Sequence, residues 1–160
     1  MQTNGGGSDP ATFVKNAAQG GLTEVALSRA AQSKSQDPAI RKFAEHMVQD
    51  HSRANDELKS VAQKHGLEVP AALDPEHQAI LQKLSHESGR GFDSAYSEQM
   101  VSDHKQTVAL FEQAAQSSDP DVAAFARKTL PTLKQHEQMA EQLPGAMKSA
   151  RAAGDNPTAR

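Results

Sequence analysis

The sequence predicts an all-α fold: a four-helix bundle with a short extra helix in the long connection between its second and third helices. Three observations carry that expectation. Asp-Pro pairs at Asp9-Pro10, Asp37-Pro38, Asp74-Pro75 and Asp119-Pro120 mark helix starts. An Asp side chain accepts from the free N–H groups of a first turn, and Pro fits the first helical position. Behind the starts, apolar residues recur every three or four positions over long stretches, as on the buried face of a helix. Composition agrees, with 4% aromatic residues, no Trp and none of the alternating Val/Ile/Thr runs of a sheet. Four long stripes are most simply buried against one another.

The first helix is expected over 10–35. Its stripe of Phe13, Ala17, Gly20, Glu24, Leu27 and Ala31 alternates steps of four and three, the pattern of a heptad seam, with an acid at its centre. Gly20-Gly21 lowers helix propensity by about 1 kcal/mol per glycine, which close approach of another helix would offset. The second helix, over 38–65, lines up Ile40, Phe43, Ala44, Met47, His51, Ala54, Leu58 and Val61, leaving Glu45, Gln49, Arg53 and Lys59 to solvent. In the connection, Asp74-Pro75 opens a short helix over 76–88 with Ile80, Leu81 and Leu84 inward, closed by Gly89 and Gly91. A connection that long with its own helix is commonly functional or a lid.

A third helix is expected over 92–117, with Tyr96, Met100, His104, Thr107 or Val108, Phe111 and Ala115 on its seam. The fourth, over 120–143, presents Val122, Phe125, Ala126, Thr129, Leu133, His136, Ala140 and Leu143, and Pro131 should kink it. Residues 1–8, with Gly5-Gly6-Gly7, read as a flexible leader, and 145–160 as a frayed or disordered tail, leaving 9–144 as the bundle.

At 160 residues the chain is one domain by size. A net charge of −3 gives no electrostatic case for nucleic acid. No apolar run reaches the length of a membrane span. With no cysteine, disulfides, thiolate metal sites and thiol catalysis are excluded.

Phe43–His51 has a diverged copy at Tyr96–His104, 53 residues on, which keeps Glu45/Glu98, Met47/Met100, Val48/Val101, Asp50/Asp103 and His51/His104. The two repeated histidines fall on buried faces, as do Glu24 and His136 on the other two helices. All four lie near mid-helix, at similar heights whether the two hairpins run the same way or one is reversed. Glu24, His51, His104 and His136 thus form one nitrogen/oxygen ligand set on the bundle axis. It suits a single zinc ion first, with iron, copper or nickel also accommodated. Without a metal each unpaired group would cost about 1–3 kcal/mol, so a mutual Glu–His network is the competing reading. Thr107, Thr129 and backbone carbonyls are candidate acceptors for the outward imidazole nitrogens. Met47, Met100 and Met139 are ordinary core fillers at helical spacing, yet with the histidines they would also suit Cu(I). Asp50 and Asp103 lie about 100° round the helix from the histidines that follow them, which places them at the surface, paired with Lys or Arg. His46 and His65 should be exposed, and His77 and His86 belong to the connecting helix.

These residues resemble a bacterial ferritin-like family known as domain of unknown function 4142. The resemblance rests on Phe13-Val14, Ala17-Ala18, Gly20-Gly21, Glu24-Val25 and Leu27, then Phe43-Ala44, Met47-Val48, Asp50-His51 and Ala54. It continues through Phe92-Asp93, Tyr96, Met100-Val101, His104, Leu110-Phe111-Glu112, Thr129-Leu130-Pro131, Leu133 and His136. It implies a ferritin-like bundle and an exported protein of the periplasm or cell envelope, its export signal removed from the chain before Met1; it implies no activity. The chain departs from ferritin itself, whose di-iron sites use Glu-x-x-His twice and two further Glu residues. No Glu here has a His three residues later, which favours a single ion over ferroxidase chemistry.

The functional expectation is therefore an exported metal-binding bundle, zinc leading, with no reaction assigned. The alternatives are a mononuclear iron or copper metalloenzyme, a Cu(I)-binding Met/His bundle, and an envelope stress or interaction module whose polar core only fixes helix register.

Overall fold

The computed structural model describes residues 9–146. The expected leader, and the expected tail beyond 146, lie outside them. In order, the described residues form α1 (Pro10–Lys34), α2 (Pro38–Lys64), α3 (Pro75–Ser85), α4 (Gly89–Ala114) and α5 (Pro120–Glu141), with helix resuming over 144–146.

Three of the four Asp-Pro starts work as the sequence predicts. Asp37 Oδ1 accepts from the N–H groups of Ala39 and Ile40 at 2.8 and 3.2 Å. Asp74 Oδ1 accepts from His77 N–H at 2.9 Å, and Asp119 Oδ1 from those of Asp121 and Val122 at 3.0 Å each. Asp9 precedes α1 without a side-chain cap. The junction of α3 and α4 departs from expectation. Gly89 does not close α3, which ends at Ser85; with φ +55 it opens α4, three residues before Phe92. That backbone is cheap only for glycine and turns the chain straight from one helix into the next. At its far end α4 stops at Ala114, and α5 continues as α-helix through Pro131.

Side-chain contacts fix the topology. Phe13 meets Phe111 with ring centroids 5.2 Å apart, so α4 ends beside the start of α1. Lys34 Nζ donates to the carbonyls of Ser85 and Glu87 at 2.6 and 3.1 Å and lies 5.8 Å from the Phe92 ring centroid, so α4 begins beside the end of α1. His65 Nε2 is 3.3 Å from Asp119 Oδ1, joining the end of α2 to the start of α5. Hence α2 and α4 run parallel, α1 and α5 run the other way, and the two short turns lie at opposite ends. The connection climbs alongside α1, held by Gln19. The Gln19 amide donates to Ala72 O at 3.1 Å and accepts from Asp74 N–H at 3.0 Å. The bundle thus has one long crossover, between α2 and α4, and two short turns.

α1 packs against α2, α3 and α4, which widens its buried face beyond a single seam to include Gln19, Thr23 and Ser28. Of the paired glycines, only Gly21 lies in close approach to another helix: a Cβ there would run into the Asn55 side chain on α2, whereas one on Gly20 would meet nothing within 4 Å.

The apolar core is split in two. One half gathers Phe13, Val14, Leu58, Val108, Phe111, Phe125 and Leu133, where the rings of Phe13, Phe111 and Phe125 meet at 5.2–6.2 Å. The other gathers Leu27, Ile40, Phe43, Met47, Phe92, Tyr96 and Met100. There Tyr96 stacks on Phe92 at 5.9 Å and shares a 2.8 Å hydrogen bond with Ser28. Along each long helix the residue between the two halves is polar: Glu24, His51, His104 or His136.

Candidate metal centre

His51 on α2, His104 on α4 and His136 on α5 point into the layer between the two apolar halves, at 6%, 1% and 2% exposure. Their rings form a nearly equilateral triangle, with centroid separations of 5.7 Å (His51–His104), 5.4 Å (His51–His136) and 5.6 Å (His104–His136). One ring nitrogen from each lies within 4.8 Å of those of the other two.

The outward halves of two rings are held by hydrogen bonds that fix which nitrogen carries the proton. His104 Nδ1 is 2.8 Å from the carbonyl of Met100. A carbonyl only accepts, so Nδ1 is the N–H and Nε2 keeps its lone pair. His136 Nε2 is 2.8 Å from Asp50 Oδ2, which likewise makes Nε2 the donor and leaves Nδ1 free. The atoms that remain, His104 Nε2 and His136 Nδ1, are both buried with no hydrogen-bond partner, as is His51 Nε2. Two inward lone pairs and the unpartnered His51 Nε2 therefore share one buried centre with no hydrogen bond among them. That is the state in which a ligand set waits for a cation. In a triangle of this edge, a nitrogen turned straight inward stands about 2 Å from the centre, the length of a metal–imidazole bond.

Burial keeps all three rings neutral. It holds His51 well below the ordinary imidazole value, helped by nearby His104 and His136. It pulls His104 down to about 4, opposed by the Met100 carbonyl and assisted by His136. It also lowers His136, although Asp50 pulls the other way. Neutral imidazole is the metal-binding form.

Glu24, the fourth residue of the expected set, is equally buried at 3% exposure and lines a small internal cavity with His51. It is not among the groups whose ligand atoms all lie within 4.8 Å of each other. Its carboxyl turns toward Asp103 on α4, and Asp103 also accepts from Gln99 at 2.8 Å. Burial, then the charge and hydrogen bond of Asp103, raise the Glu24 pKa well above the usual range. Glu24 Oε2 has no partner.

Two expectations need correcting. Asp50 does not spend itself on surface Lys or Arg: it reaches from the edge of α2 across to α5 and orients His136. Asp103, in the matching place on α4, reaches to α1 and Glu24. The recurrence of Asp immediately before His in both repeats was the signal for this role. His65 is half-buried rather than exposed, with Nε2 3.3 and 3.5 Å from Asp119 and Asp121. The outward acceptors in the centre are Asp50 and the Met100 carbonyl, while Thr129 donates to Phe125 O at 2.9 Å.

A family model described as "Domain of unknown function (DUF4142)" matches residues 1–143. No curated protein matches the chain. Among solved structures, a DUF305 fragment from Deinococcus radiodurans is similar with a TM-score of 0.73 at 18% identity, over 82% of this chain and 92% of that one. CopM in its Cu(II)-bound form is similar with a TM-score of 0.71 at 17% identity, over 85% and 95%. CopM in its Cu(I)-bound form follows at 0.70 and 18%, over 84% and 94%. At these identities the likeness is one of fold. Among the described residues no helix is long and apolar enough to cross a membrane.

Proposed function

The chain belongs to the DUF4142 family, and for it we propose a bundle that binds one transition-metal ion on its axis through His51, His104 and His136. The observation that carries this reading is the set of three buried, unpartnered imidazole nitrogens facing one centre. Left empty, they would cost about 1–3 kcal/mol each, a burden a purely structural polar layer would avoid by pairing them.

The donor set suits zinc, copper or nickel, and at a nitrogen site Cu(II) outranks Zn(II) in affinity. The similar bundles in copper-bound forms lean the same way, so copper moves ahead of zinc as the ion proposed here. Met47 and Met100, each four residues before a ligand histidine and fully buried, supply soft sulfur on the same side should the ion be Cu(I). Three protein ligands leave a coordination position that Glu24 or a small molecule would fill. A metal there would supply Lewis acidity or, for copper, electron exchange. The chain's own part is to hold the imidazoles neutral and oriented in a water-poor layer, and that describes a binding or storage role before an enzymatic one. Residence in the periplasm or cell envelope belongs to this reading and rests on the family resemblance.

The test is titration of Cu(II), Cu(I) and Zn(II) into chelated protein, with elemental analysis of protein purified without added metal. One ion per chain is expected. It should be lost in His51→Ala, His104→Ala and His136→Ala, with effects that do not add because each dismantles the same sphere, and kept in His86→Ala. Cu(I) binding that disappears in Met47→Leu/Met100→Leu would assign the sulfurs. A parent that binds none of the three ions reduces the layer to a polar network.

A further inference from the structure

We propose that the groove between α1, α3 and α4 is the cation's entrance to the histidine centre, with Glu24 as the group that passes the ion inward. This rests on the metal-binding reading above.

The groove has a volume of about 330 Å³, and its lining includes Glu24, Glu76, His77 and Asp103 with no Lys or Arg among them. Behind it lies a much smaller cavity of about 20 Å³ that reaches His51. Gly20, Glu24 and Thr107 line both spaces, so these three residues form the partition between them. Of the three, Gly20 has no side chain, and an added Cβ would find open space there. Glu24 is 3% exposed with an unpartnered oxygen. The barrier between groove and centre is therefore thin, and its principal side chain is the carboxyl of Glu24.

Charge selects this side over the other approach. The opposite opening, of about 140 Å³, is lined by Asp50 and Glu57 but also by Arg53 and Lys128, and Lys128 lies 3.1 Å from Glu57. Its signs balance. The α1–α3–α4 groove carries carboxylates without balancing cations in its lining, so it concentrates positive ions at its mouth. A cation leaving water needs oxygen donors at each step of its dehydration. Glu76 at the rim, Asp103 on the wall and Glu24 on the floor supply them in sequence before the imidazoles take over. The placement also gives the long crossover a purpose: α3 brings Glu76 and His77 to a rim that α1 and α4 alone would leave incomplete.

Rates separate an entrance from a ligand. Cu(II) uptake by chelated full-length protein, and its removal by excess chelator, are followed in stopped flow with a metallochromic indicator. Equilibrium stoichiometry is measured in parallel. Gly20→Leu should fill the partition and slow both uptake and removal roughly tenfold, leaving one ion bound. Glu76→Gln, at an exposed position that keeps the test decisive should the Gly20→Leu change disturb folding, should slow uptake severalfold at low salt and converge with the parent at high salt. Arg53→Gln and Lys128→Gln should load as the parent does. Parental rates in both groove variants, or altered rates in the Arg53 and Lys128 variants, would overturn the entrance while leaving the histidine centre standing. A parent that takes up no Cu(II), Cu(I) or Zn(II) overturns both.

Discussion

Lowering the pH of the chelated protein should destabilise it through the histidine layer, and His104 allows the size to be worked out. Its pKa is held at about 4 in the folded chain against 6.5 when free. The unfolded state thus binds the proton more readily. The stability from keeping His104 neutral is fully present above pH 6.5 and is lost as pH falls from there toward 4. The full loss is about 3 kcal/mol, and at 1% exposure little of it is screened. For a chain of this size that corresponds to roughly 6–12 °C in Tm. His51 and His136 shift in the same direction and add to it. Other carboxylates titrate in the same window, so the informative quantity is a difference. Tm is measured for chelated parent and His104→Gln at intervals from about pH 7.5 to 4, spanning the free and folded values, and the gap between them plotted against pH. The parent should lose more than the variant as pH falls, because Gln has no proton to gain. A gap that stays constant across the range would mean that His104 is not held neutral by burial, and the inward lone pair inferred from its Met100 hydrogen bond would fall with it.

Asp50→Ala should lower metal affinity about 10–100-fold by freeing His136 from its acceptor, whereas Asp50→Asn, which still accepts from Nε2, should recover most of it; competition titration reads both. Glu24 has the opposite pH sign to the histidines. Its raised folded pKa means the stability it contributes is present below 4.5 and lost as pH rises through the folded value. Chelated Glu24→Gln should therefore gain in Tm on the parent as pH rises above 4.5, and the gain should shrink when metal offsets the charge. Among the helix starts, Asp37→Ala should cost about 1 kcal/mol in denaturant unfolding, and Asp9→Ala, whose side chain makes no cap, well under half of that.

The bundle and its polar layer were legible because both depend on periodicity within single helices. Apolar seams, Asp-Pro caps and three inward histidines are properties of position around one axis, and Glu45, Gln49, Arg53 and Lys59 are exposed as that geometry requires. What escaped depends on where a second helix stands. A residue 100° from the seam faces water if its neighbour is far, and faces that neighbour if the helices are rotated toward each other. Asp50 and Asp103 sit at that edge, and so does His65, which the start of α5 covers. Gly89 was ambiguous for a related reason: a positive φ serves equally to end one helix or to begin the next, and only the direct α3–α4 junction decides.

The two halves of the layer then differ in one residue. α2 and α4 run parallel and present Asp50-His51 and Asp103-His104 in matching places. α1 and α5 run parallel too, with Phe13 eleven residues before Glu24 and Phe125 eleven residues before His136. Each Asp reaches to the polar residue of the neighbouring helix. On the α2–α5 side it finds an imidazole and forms a charge-assisted hydrogen bond that completes a ligand. On the α4–α1 side it finds a second carboxyl, and two carboxyls in one place need a proton or a cation between them. The same local geometry therefore yields a fixed ligand on one side and an unsatisfied acidic pair, open to the groove, on the other. Exchanging Glu24 for His would remove that unsatisfied pair while adding a fourth inward imidazole. Such a variant should bind its ion at least as tightly at equilibrium yet load it more slowly, an outcome that a Glu24 acting only as a ligand would not produce.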